Sequence, residues 1–116
     1  NTQTNQIVFS ISKAVCSFVI SMLVDRNLIK FEDLISKHWP EFSKFNKENV
    51  TVAELLHHKS GLIYPNRKLK LSELQNYDDL AKVLVDEEVH IFDGEPKTAY
   101  SSILSGFYIN ELVRRV

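Results

Sequence analysis

Apolar positions are densest near the start of the chain. Ile11, Ala14, Val15, Phe18, Val19, Met22 and Leu23 recur at helical spacing, and after Lys13 no charge interrupts them before Asp25. The spacing predicts a helix from about Ser10 to Asn27, apolar on nearly every side and therefore wanted inside a protein, with Asn27 as its stop. Polar residues Asn1 to Gln6 and a short apolar lead, Ile7-Val8-Phe9, come before it. A short helix over Glu32 to Lys37 follows, with acids in its first turn, and Trp39-Pro40 ends it because proline has no N–H to donate.

Thr51-Val52-Ala53-Glu54 has the spacing of a capping box and predicts a helix through Leu55 and Leu56. Ser60-Gly61 is expected to close that helix through a left-handed glycine. Leu69 to Leu74 shows no decisive period. Asp78 or Asp79 is expected to cap a helix running through Leu80, Val83 and Leu84 to Glu87. Val89 to Phe92 reads as a brief extended piece, and Asp93-Gly94-Glu95-Pro96 as a turn. A last helix, starting near Tyr100-Ser101, carries Ile103, Leu104, Phe107, Tyr108, Leu112 and Val113. Helices dominate this pattern, and nothing in it builds a full sheet.

Composition changes this picture little. A chain of 116 residues with 44% hydrophobic and 25% charged side chains is one globular domain at most. A net charge of -1 gives no general attraction to nucleic acid or to anionic lipid. Arg67-Lys68-Leu69-Lys70 and Arg114-Arg115 read as solvated faces. Cys16 is the single cysteine, so no internal disulfide is expected, and it packs as a small hydrophobe. The apolar run after Lys13 is too short to span a bilayer and lacks the flanks of a signal peptide. Asn49-Val50-Thr51 is a glycosylation sequon that matters only in a secreted protein. The histidines His38, His57, His58 and His90 form no His-x-x-x-His pair, and no metal site or cofactor is expected. The chain opens on asparagine and stops inside an apolar helical pattern, which reads as a piece of a longer protein.

Chemistry enters at Ser10 and Lys13. Three positions apart, they share a face at the positive end of the first helix, where a serine and a lysine can act as nucleophile and base. Eleven serines and ten lysines make about one such pair expected by chance, and the plain alternative is a helix cap beside a solvated lysine.

Three stretches in order raise the odds. Phe9-Ser10-Ile11-Ser12-Lys13 resembles the Ser-x-x-Lys motif of the serine β-lactamase and penicillin-binding-protein superfamily, in its class C-like, esterase-like branch. Val50-Thr51-Val52-Ala53-Glu54-Leu55-Leu56-His57-His58-Lys59-Ser60-Gly61-Leu62 is similar to that family's Thr-Val-x-x-Leu-Leu-x-His-Thr-Ser-Gly-Leu segment, with Lys59 in place of threonine. Tyr100-Ser101-Ser102 stands at the place of its Tyr-x-Asn or Tyr-Ser-x motif. Between the first two, Asn27 to Asp33 and Trp39-Pro40-Glu41-Phe42 resemble the family's connector.

The resemblance implies an α+β β-lactamase/transpeptidase-like fold, of which this chain is the mainly helical part. Residues 1–116 would be a partial domain lacking flanking N-terminal strands and a C-terminal sheet. It implies acyl transfer through an acyl-serine on Ser10, with Lys13 and Tyr100 as the base pair in either division of labour, and Ser102 on the substrate. The implied partner is a small-molecule or peptide acyl substrate: a β-lactam, a D-Ala peptide, an ester or another peptide. Ser102 departs from the usual asparagine. The third motif, Lys/His-x-Gly on a strand, is missing, and Lys97-Thr98-Ala99 is no substitute because alanine replaces the glycine that permits close backbone approach. The departures at Ser102 and Lys59 leave room for a non-enzymatic family member serving as a binding or scaffold module. His57 and His58 are expected to cap or pack rather than catalyse.

Overall fold

A computed structural model describes residues 2–116; Asn1 lies outside the described residues. The long helices are α1 (Ser12–Asp25), entered through a 3-10 turn at Phe9–Ile11, α5 (Tyr77–Asp86) and α6 (Leu104–Arg115). Shorter ones are α2 (Ile35–His38), α3 (Val52–Leu56) and α4 (Leu71–Leu74), with a second 3-10 turn at Pro40–Ser43. Strands β1 (Ile91–Phe92) and β2 (Glu95–Pro96) form one antiparallel hairpin, pairing Ile91 with Pro96 and Phe92 with Glu95.

Helix α6 is the hub, packing on α1, α2, α3 and α5. Its buried face is Leu104, Tyr108, Ile109 and Leu112, the 3-4 spacing of an amphipathic helix. Tyr108 meets Trp39 and Phe42 in an aromatic cluster with centroids 5.5–6.2 Å apart. Each such pair adds about 0.5–1.5 kcal/mol beyond area burial. The Tyr108 hydroxyl donates to the Leu84 carbonyl at 2.9 Å, tying α6 to α5. Burial, and secondarily the Glu87 charge, pushes its phenol well above the ordinary range. At the far end Arg115 closes the cluster, its guanidinium 5.0 Å above the Trp39 ring and paired with Glu41 and Glu111.

The helix ends follow local chemistry, in places not where the pattern put them. Thr51 forms the expected capping box with Glu54. Asn27 takes the left-handed conformation, φ +58°, that ends α1. Asn76, rather than Asp78 or Asp79, caps α5, its side-chain oxygen accepting from both aspartate amides, which leaves the two acids in the first turn near the positive dipole end. The second helix starts at Ile35, later than Glu32, because Asp33 is used as a turn anchor. Its carboxylate accepts from the Lys30 amide, Lys37 and His38, and the Lys37 ammonium above all holds it well below the usual carboxylate range.

Two further ends are corrected. His58, not Gly61, supplies the left-handed residue after α3, with φ +57°. Gly61 is needed for another reason: a Cβ there would lie 2.5 Å from Val89 Cγ1 and 3.0 Å from the His90 carbonyl, at φ +73°. The last helix starts at Leu104, not near Tyr100; Ile103 is its N-cap residue, and the buried Ser101 hydroxyl satisfies the Ser105 amide in the first turn at 3.1 Å. Asp93 and Gly94 both have positive φ, the geometry of a tight hairpin turn, so the expected extended piece and turn close into β1–β2.

The expectation that α1 is wholly interior does not hold in this chain. Ile20 is buried, and Cys16, Leu23 and Val24 pack partly against the core. The opposite face is bare: Ile11, Val15, Phe18 and Met22, spaced 4, 3 and 4 apart, are 67%, 60%, 67% and 37% exposed. Nothing else among the described residues covers that stripe.

Candidate active site

Ser10 sits in the middle of the 3-10 turn, one residue after Phe9, whose φ of +47° lies in the left-handed region that a bulky side chain rarely adopts. Such a conformation costs on the order of 1–3 kcal/mol and tends to mark functional turns. Lys13 follows in the first turn of α1. Tyr100 arrives from ninety positions later on an extended segment laid along the end of α3. The Ala99 amide donates to the His58 carbonyl at 3.2 Å, and the Ser101 amide to His58 Nδ1 at 3.2 Å. Ser101 is buried and accepts from the Ser105 amide of α6, while Tyr100 faces Ser10.

The three side chains converge. The Tyr100 hydroxyl donates to Ser10 Oγ at 2.5 Å, and Lys13 Nζ to the same oxygen at 3.5 Å. Lys13 is steered by the Ser102 carbonyl, 2.9 Å away, and by the Tyr100 ring, whose centroid is 4.8 Å from its nitrogen. Hydrogen bonding with Ser10 first and Lys13 second draws the Tyr100 phenol below its ordinary titration range, which favours the phenolate. Ser102 thus holds Lys13 through its backbone, while its side chain lies at the surface. A cavity of about 290 Å³ opens beside the group, lined by Ser10, Lys13, Cys16, Ser102, Ile103 and Gly106. A wider groove of about 530 Å³ lies between Trp39, Lys44, Lys82 and Arg115; it brings together charges of both signs but no nucleophile with a base.

Over residues 1–116 the chain matches the family model described as Beta-lactamase. The chain belongs to the β-lactamase family. Among its relatives is the esterase/beta-lactamase LipL of Mycobacterium tuberculosis, 30% identical over 112 residues, which cover 94% of this chain and 25% of that protein. A family VIII carboxylesterase superposes with a TM-score of 0.83 at 29% identity, over 92% of this chain and 29% of that one. EstA of Arthrobacter nitroguajacolicus gives a TM-score of 0.79 at 33% identity, covering 94% and 29%. A penicillin-binding-protein homologue from Caulobacter crescentus gives 0.77 at 28%, covering 93% and 29%. The fold is therefore that of β-lactamase/transpeptidase enzymes, and this chain is a mainly helical part of it, spanning less than a third of the relatives' length.

Within this β-lactamase-family chain, one contact of the site was not anticipated. From sequence, His58 has only a capping or packing role, yet it bonds the amides on both sides of Tyr100 and lays its ring against the phenol, centroids 5.0 Å apart. The helix-end segment carrying it is legible; a pairing between residues 42 positions apart leaves no local period to detect. Lys59, the departure within that segment, is exposed, and its amide closes the turn onto the Glu54 carbonyl. Among the described residues no group of three or more His, Cys, Asp or Glu side chains is placed to hold a metal ion. No helix of the described residues is long and apolar enough to cross a membrane.

Proposed function

We propose that the full-length protein is a serine hydrolase that transfers an acyl group through Ser10, with an ester as the first substrate class to test and an amide second. The observation that carries this is the meeting of Ser10 Oγ with the Tyr100 hydroxyl at 2.5 Å and Lys13 Nζ at 3.5 Å. The names of the relatives, esterase and carboxylesterase among them, favour the ester.

In this reading Ser10 Oγ attacks the substrate carbonyl carbon and loses its proton to Tyr100 or Lys13, whichever is unprotonated. The tetrahedral intermediate collapses as the leaving alcohol or amine takes that proton back. Water, losing a proton to the same pair, then attacks the acyl carbon; the bond to Ser10 Oγ breaks, Oγ takes that proton back, and the acid is released. The lowered affinity of the Tyr100 phenol for its proton suits it to the base role. The Ser10 amide, in the turn that leads into α1, is suited to one half of an oxyanion hole. Ser102, with a surface hydroxyl, would contact the substrate.

Residues 1–116 form a partial domain in this reading, and the bare stripe on α1 is covered by chain that the relatives possess and this segment does not span. The isolated chain is then inactive. Tyr100 is 54% exposed, so water competes for each charge that an enclosed site would stabilise.

The test is labelling of the full-length protein by a fluorophosphonate probe, with p-nitrophenyl acetate turnover measured alongside. Wild type should label and turn over, and Ser10→Ala should do neither. Equal labelling of the two would reject Ser10 as nucleophile, and a wild type that neither labels nor turns over would leave the non-enzymatic module as the better account.

A further inference from the structure

We infer that His58 is a positioning residue for Tyr100: its imidazole holds the phenol against Ser10, and does so only while Nδ1 carries no proton. The inference rests on the proposed role of Tyr100 and goes beyond it, to what fixes that side chain.

Three contacts carry it. The His58 carbonyl accepts from the amide before Tyr100, and His58 Nδ1 from the amide after it, each at 3.2 Å. The imidazole ring lies against the phenol ring, centroids 5.0 Å apart and planes inclined by 49°. Tyr100 is itself more than half exposed, so little other packing restrains it. A side chain in that state loses its aim unless its backbone is clamped on both sides. His58 can do this because its own backbone is left-handed, φ +57°, which points its carbonyl and its ring toward the same segment.

The protonation requirement follows from donor chemistry. A ring nitrogen that accepts an N–H bond has a free lone pair, which places the ring proton on Nε2. Protonating Nδ1 turns the acceptor into a donor facing another donor. It also sets a second positive charge beside Lys13, the charged group that faces His58 from α1. The segment before α6 contributes Tyr100, whose ring lies against the imidazole; Leu55 and Leu56 of α3 and Ser105 and Ile109 of α6 bring no charge. Burial first, and the Lys13 charge second, keep the imidazole neutral below its ordinary pKa. The clamp therefore holds at neutral pH and opens on acidification.

Three variants of the full-length protein test this: His58→Ala, His58→Asn and Ser10→Ala. Asparagine can place a non-titrating acceptor oxygen where Nδ1 stands. Ester turnover should fall about ten- to hundredfold in kcat for His58→Ala, the scale expected when a reacting group is misplaced by about 1 Å, with KM changed less than about twofold. His58→Asn should recover most of kcat. Independently of activity, the NMR signal of 13Cζ-labelled Tyr100 should show, in wild type and Ser10→Ala, an inflection at the His58 pKa that is missing from His58→Asn. Wild-type kcat in His58→Ala, or a Tyr100 signal blind to His58 titration, would overturn the inference. So would an equal loss of kcat in both His58 variants in proportion to their loss of thermal stability. If wild type turns over no ester while the NMR titration behaves as stated, the hydrolase reading fails and the clamp stands.

Discussion

At the scale of single residues, the site is a serine oxygen receiving two donors from opposite ends of the chain. Hydroxyl and amine alone, a turn apart, are common in any lysine-rich sequence; the phenol makes the arrangement chemical, because it offers a second acid–base group on the same oxygen. Tyr100→Phe removes only that hydroxyl. In the full-length protein it should lower kcat for an ester by about 10²–10⁴, the usual contribution of a placed general base, with KM nearly unchanged. A loss below about threefold in steady-state kinetics would assign proton transfer to Lys13 alone. Ser10, Lys13 and Tyr100 were all legible in the sequence, through short motifs in a recognisable order. His58 was legible as a residue of the second motif but not as a neighbour of the third, since a contact between distant segments is a property of packing.

At the scale of elements, the segment bearing Tyr100 is placed by the loop it crosses. The His90 amide donates to the Gly61 carbonyl at 3.0 Å and the Lys97 amide to the His90 carbonyl at 2.8 Å, so the hairpin is stitched to the turn after α3. Gly61 is where this stitching leaves no room for a side chain. Gly61→Ala combines a left-handed backbone with a Cβ against Val89 and should cost about 2–4 kcal/mol in urea unfolding. An effect under about 0.5 kcal/mol would mean that the hairpin is free to shift. The sequence pattern located Gly61 but assigned it to a helix end. The helix ends at Leu56, with His58 left-handed, and the glycine answers to Val89 and His90, 28 and 29 residues later.

At the scale of the whole molecule, two features concern what the core can tolerate. Lys47 is fully buried, donating to the Val85 carbonyl at 2.8 Å and to the Glu87 carbonyl at the end of α5, beneath the Phe42 and Phe45 rings. Desolvation lowers its pKa to about 8, against the opposing pull of the Glu87, Asp86 and Glu88 charges. Because the folded state gives up this proton more readily than the unfolded chain, the charged form is a burden that rising pH relieves. The stability of wild type relative to Lys47→Met should therefore increase between pH 8 and 10.5, by up to about 3 kcal/mol in denaturant titrations. A difference that stays flat, or falls, across that window would show the ammonium to be as well solvated in the fold as in water. The second feature is the apolar stripe of α1. In the isolated chain Phe18→Lys should change stability by less than about 0.5 kcal/mol and reduce dye binding to exposed apolar surface. In the full-length protein the same change should destabilise by several-fold more, because there the stripe is proposed to be covered.

The sequence by itself determined the helical character, the capping box at Thr51, the stop at Asn27 and the kinship, and it singled out Ser10, Lys13 and Tyr100, which the fold brings together. Each is set by neighbours within about one helical turn or by a short motif, so it is written locally. Only the tertiary structure decided that Asn76 rather than an aspartate caps α5, that α1 leaves one face bare, that Lys47 lies under α5, and that His58 clamps Tyr100. These depend on which distant groups exclude water from one another, and exclusion of water is a property of the folded surface rather than of any stretch of chain.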